Sequence, residues 1–194
     1  MKYFSEIDEI LLKYAVFGKK ELADGTLLIA PAKFVAPEAW VHQIYPPLNE
    51  DEIKILEEQI AGLIPNSYVI FLKEYSNGIN IFNDVLALFG YRKRRGRGID
   101  DVWQPYSMII PNTIERIKNA TDEMIFIGSY SWDGSKIYIN RNTEKVYRCL
   151  RGDITPLNEW DCFEQMIVTE IKRLSKLHTN EGKRLDRSIP TIPS

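Results

Sequence analysis

Apolar residues fall at helical spacing near the start of the chain, where Phe4, Ile7, Ile10, Leu11 and Tyr14 form one stripe. They predict a helix running to about Phe17, with Ser5 as its cap, Asp8 as the capping-box acid and Gly18 as its stop. Asp24-Gly25 predicts a turn into a short strand, and the paired Pro46 and Pro47 predict a stiff connector. Asn49 followed by Glu52 reads as a capping box for a helix whose stripe is Ile53, Leu56, Ile60 and Leu63. A second helix follows Pro65, with Tyr68, Phe71, Leu72 and Tyr75 on one side and Asn77-Gly78 at its end.

Short strands are expected on either side of Asn83-Asp84, then a polar loop "RKRRGRGIDD", then a helix from Pro111 to Ala120 with Ile114 and Ile117 inward. Residues 124–130, 136–140 and 145–150 alternate apolar and polar side chains and predict three strands. Thr155 or Asn158 is the expected cap of a last helix carrying Trp160, Phe163, Met166, Ile167, Ile171, Leu174 and Leu177. After His178 the chain turns polar and proline-containing, the composition of a tail that is mobile unless something docks it. Periodicity thus gives an α+β domain: an extension over residues 1–48, a main unit over 49–178 and a tail over 179–194.

Charge narrows the partners little. Twenty-five basic and 27 acidic side chains leave no global field to favour nucleic acid or an anionic membrane. Cys149 and Cys162, without a paired Cys or His motif, read as free thiols rather than a metal site. No apolar stretch approaches the roughly 18 residues of a spanning helix, so the expected location is the cytoplasm. His42 and His178 lie in separate segments with no adjacent nucleophile, and there is no phosphate loop, HExxH or Ca²⁺ loop. The expected protein is not an enzyme and needs no cofactor or metal.

Four segments in order carry a resemblance: "LIPNSYVIFLKEYSNG", a short strand pair ending "FGY", the glycine-containing "IGSYSWDGSKIYIN" with "VYRC", and "WDCFEQMI" opening the closing helix. Together they resemble the SUKH superfamily, which includes fungal cell-wall-assembly regulators and many bacterial immunity proteins. The likeness covers about residues 49 to 174. It implies a mixed, mostly antiparallel twisted sheet flanked by helices, acting by binding another protein, in bacteria a cognate toxin domain. "SYSWDGS" is bulkier than the Gly-Gly or Gly-Asp pair common in related chains at that place.

Three stretches are candidates for contact. In "SYSWDGS", Asp133-Gly134 is first a hairpin turn; Tyr130 and Trp132 beside it are candidate anchors for a partner, with folding back onto the sheet the alternative for Trp132. "RKRRGR" supplies Arg94 and Arg95 for charge complementarity, with Trp103 just beyond as a further anchor. The alternative is a regulatory or nucleic-acid-associated protein working through the basic loop 92–97, disfavoured because no aromatic is interleaved in the run. Glu50, Asp51, Glu52, Glu57 and Glu58 form an acidic helix face, which is either capping and solvated surface or a patch for a basic partner.

Overall fold

The structure, a computed structural model, describes residues 2–94 and 102–194. Its spine is one nine-stranded meander in which every strand pairs antiparallel with the next. The strands are β1 (Lys19–Glu21), β2 (Leu27–Pro31), β3 (Trp40–Ile44), β4 (Ile79–Ile81), β5 (Leu86–Leu88), β6 (Met124–Tyr130), β7 (Lys136–Asn140), β8 (Val146–Leu150) and β9 (Asp153–Trp160). One isolated parallel bridge, Gly90 to Ser107, lies beside the ladders. Among the described residues, five α-helices accompany the sheet: α1 (Lys2–Leu11), α2 (Glu50–Ile60), α3 (Asn66–Glu74), α4 (Ile109–Asn112) and α5 (Phe163–Lys176).

Side-chain alternation sets the two faces. Ile79, Ile81, Leu86, Leu88, Tyr130, Ile137 and Ile139 join residues of α1, α2, α3 and α5 in the main core. Phe126, Tyr138 and Cys149 form a smaller cluster under Ile117, Ala120 and Met124. Across the middle strands Gln43, Asn80, Ala87, Ser129 and Lys136 sit in one cross-strand row. Strand β3 pairs with β4, so residues 1–48 and those after them share one sheet and one core.

Local chemistry accounts for much of this. Asn49 caps α2 with its side chain on the Glu52 amide at 2.9 Å, and Glu52 returns the bond to the Asn49 amide at 3.0 Å. Both bonds satisfy donors that the first turn leaves unpaired. Asn49→Ala should therefore lower the unfolding free energy by about 1 kcal/mol, read from the midpoint of a urea titration.

Tertiary pairing overrides local signals in four places. The first helix begins at Lys2, so Ser5 lies inside it, and Leu12–Phe17 tighten into a 3-10 helix. Helix α2 ends at Ile60 because Ala61 turns left-handed at φ 52°, and Leu63 is left in solvent. The helix expected over 111–120 is only α4, and Ile114 is 87% exposed. Residues 153–160 are not a helix start but strand β9, paired along β8; α5 begins at Phe163. Pro156 is tolerated there because β9 is the sheet's edge.

The carboxy-terminal segment lies against the fold. Leu185 donates its amide to the Leu177 carbonyl at 3.0 Å, and Arg173 donates to the Thr191 carbonyl at 2.7 Å. Thr191 is buried and Ile192 packs on the core. Gly182 runs at φ 81° so close to Val41 that a Cβ would meet its methyls at 2.6 Å.

Candidate functional site

The strand registers put the candidate residues at opposite ends of the sheet. Leu27, Ile44, Ile79, Leu88 and Gly128 form one row across the strands, and His42, Ile81, Leu86 and Tyr130 another. Trp132 and Asp133 continue past the second row. Trp103 and Arg94 border a cleft past the first, where Asp24, Tyr45, Pro46 and Tyr91 also lie.

At the second end, β6 and β7 are joined by residues 131–135, closed by the Tyr130 amide on the Ser135 carbonyl at 3.0 Å. Gly134 supplies the positive φ of 70° that this tight turn needs. Asp133 is the hairpin's pin, accepting from the Ser135 amide at 2.9 Å and from Arg148 Nη2 at 2.7 Å. Burial alone would raise its carboxyl, but the Ser135 and Arg148 bonds outweigh that and hold it below the ordinary range. Arg148 is itself buried, with further bonds to Ser135 Oγ and Asn158 Oδ1. Asp133 is thus a structural residue with most of its acceptor capacity taken.

Tyr130 must be corrected as a surface anchor. It is wholly buried, and its hydroxyl donates to Glu170 Oε2 at 2.6 Å. Strand alternation placed it inward, while Trp132, two residues on in the loop, escapes the pleat. Trp132 is 41% exposed, and the guanidinium of Arg184 sits 5.2 Å from its ring centroid.

At the first end, Gln104 bonds both backbone groups of Arg94, accepting from the amide at 2.8 Å and donating to the carbonyl at 3.1 Å. Arg94 and Trp103 both line a cleft of about 280 Å³. Asn77 shapes its wall, with its side chain pairing both backbone groups of Tyr91 at 2.7 and 2.9 Å. Arg95 and Arg97 fall outside the described residues.

One described ion pair, Lys93 to Glu52, joins the two charged stretches. Arg94 pairs with Asp24 at 3.6 Å, and Lys73 with Glu50. Glu57 accepts from the Ile64 amide at 3.0 Å. The acidic face of α2 and the basic run after Tyr91 are therefore neighbours, which spacing in the sequence does not reveal.

The histidines meet in space without forming a reactive pair. His178 stacks on Phe82 with ring centroids 4.2 Å apart, and His42 meets the same ring edge-on at 4.8 Å. Burial holds the imidazole of His42 down at about 3, with His178 and Lys13 adding to it. Burial likewise lowers His178. Cys149 is buried and its thiol is pushed up to about 11 by that burial. Among the described residues, no three His, Cys, Asp or Glu side chains gather as metal ligands. No helix among them is long and apolar enough to cross a membrane.

An antiparallel meander faced by helices makes this an α+β fold, with Trp132 exposed past one end of its strands. The sequence model of the SMI1/KNR4 family (SUKH-1) matches residues 47–169. The chain belongs to that family. No curated protein matches it. The matched span holds β4 to β9, α2 to α4 and the first part of α5, with Trp103 and Trp132 inside it.

Proposed function

We propose that this protein is an immunity-type binding protein that neutralises a cognate toxin domain by covering its working surface. Family membership supports the reading, since bacterial members of the wider superfamily commonly act in this way. One observation carries it to a place on this chain: Trp132 stands exposed on a hairpin pinned by Asp133, Ser135 and Arg148. A large aromatic on a rigid loop buries much area at little entropic cost, the mark of an interface anchor. Inhibition then needs no bond chemistry from this chain, and the ordered sheet requires no rearrangement before docking. Trp103 and Arg94, at the far strand end, would serve as secondary contacts.

Nucleic-acid binding through the basic run is the weaker reading. Lys93 and Arg94, two of its three described cations, already face carboxylates. The two readings separate in a salt-graded pull-down against nucleic acid and against any toxin-like domain encoded beside this chain. A protein complex should survive physiological salt, and Trp132→Ala should weaken it by about 2 kcal/mol, roughly thirtyfold, with an unchanged melting temperature. Capture of nucleic acid alone, stripped steeply by salt, would overturn the immunity reading.

A further inference from the structure

The carboxy-terminal segment, outside the family match, touches both Trp132 and the amino-terminal part of the chain, which also lies outside it. Consecutive cations of the carboxy-terminal segment reach two separate loops. Lys183 Nζ lies 5.5 Å from the ring centroid of Phe34, in the β2–β3 loop, and Arg184 lies over Trp132. Phe34, Trp132, Leu185 and Ile189 are all exposed, Leu185 at 63%, and the segment that carries Leu185 and Ile189 touches Phe34 through Lys183 and Trp132 through Arg184.

Bonds from Ser188, and then the charge of Arg184, hold the Asp186 carboxyl below its ordinary range, yet among the described residues no carboxylate lies within ion-pair distance of the guanidinium. Arg184 Nη2 donates to the carbonyls of Asp186 and Ile189. Its Nε is buried without an acceptor. Glu181 takes Lys183, and Asp186 turns its Oδ1 to Ser188. A guanidinium stacked on an indole, with exposed apolar side chains on its own segment, favours a carboxylate brought in by another molecule.

We propose that this patch is the docking surface for an acidic, apolar segment of a partner protein, with a partner carboxylate on Arg184 and apolar side chains against Trp132, Leu185 and Phe34. The proposal deepens the immunity reading by giving the partner's surface a chemistry. It also places the contact on parts of the chain that the family match does not include, where a partner specific to this chain would be recognised.

The test uses the full chain and a synthetic probe, acetyl-ELFEELIE-amide, beside its twin with lysine in place of every glutamate. Fluorescence anisotropy should give the acidic peptide at least about tenfold tighter binding than its twin, weakening several-fold as salt rises from about 0.1 to 0.5 M. Trp132→Ala and Leu185→Ser should each reduce binding at least about fivefold with unchanged melting. Ile114→Ser, an exposed apolar position elsewhere, should leave it unaltered. Arg184→Gln should erase the preference for the acidic peptide; because Arg184 also ties its own segment, hydrogen exchange over 183–194 is measured alongside.

Equal binding of the two peptides, no saturable binding, or an equal loss in Ile114→Ser would overturn the proposal. So would a dimer in light scattering that Trp132→Ala dissociates, which would give the patch to a second copy of this chain. The peptides need no toxin. Their failure therefore leaves the immunity reading standing, and a failed toxin pull-down leaves the patch standing.

Discussion

Replacing Arg173 by alanine should lower the unfolding free energy by about 3–5 kcal/mol, the cost of stranding a buried carboxylate. Glu170 lies on the inner face of α5 and is 1% exposed. It is held there by Arg173, whose Nε and Nη2 reach its oxygens at 3.0 and 2.6 Å, and by the Tyr130 hydroxyl. Without the guanidinium, one hydrogen bond from Tyr130 must compensate a charge removed from water, which is too little. Glu170→Leu combined with Arg173→Met should recover part of the loss, because both charges then leave together. The same arginine donates to the Thr191 carbonyl, so the single variant should also speed amide exchange over residues 189–194. Urea unfolding and hydrogen exchange check both effects. A loss below about 1 kcal/mol would mean that water reaches Glu170.

Acid should destabilise the fold from the neutral side, before the carboxylates titrate. The folded state holds His42 neutral, its imidazole near 3 against an ordinary value of 6.5, first by burial and then by the charge of His178. The unfolded chain takes up the proton and the folded one resists it, so stability is complete above pH 6.5 and falls as pH drops toward 3. His178 is shifted the same way and adds to the slope. Between pH 6.5 and 5 the loss from His42 alone is on the order of 2 kcal/mol, and the full window gives on the order of 4. Nδ1 of His42 accepts the Phe82 amide at 3.4 Å, and Nε2 is buried without a partner, so a second ring proton has nowhere to go. His42→Phe should flatten the dependence above pH 5 in a series of urea titrations. An unchanged slope in that variant would place the acid sensitivity elsewhere.

Elements with local causes were legible in the sequence. The Asn49–Glu52 box, the Asp133-Gly134 turn and the alternation over 124–150 each sit where residue chemistry puts them, since their bonds span only a few positions. Strand β9 was not legible. Its pattern is mostly exposed because it lies at an edge, and only pairing with β8 makes it a strand. Pro111–Ala120 shows the reverse case, where helical spacing of isoleucines is overridden: the Asn112 side chain bonds Phe126 backbone on β6 and the chain leaves the helix. Trp132 could be picked from a turn signal. Phe34, Lys183 and Arg184 could not, because their contacts with one another and with Trp132 cross between sequence-distant segments. Tyr130 was misplaced for a simpler reason: it is the last residue of its strand, still within the alternation that faces the core.

Titrating a toxin domain that co-purifies with this chain, or any toxin-like domain encoded beside it, with the purified protein and following the toxin's own activity tests the proposed function most directly. The expected result is complete loss of activity at one equivalent, with the Trp132→Ala variant needing a large excess. Activity that persists at several equivalents of a folded protein, or that Trp132→Ala suppresses as well as the unaltered chain does, would contradict it.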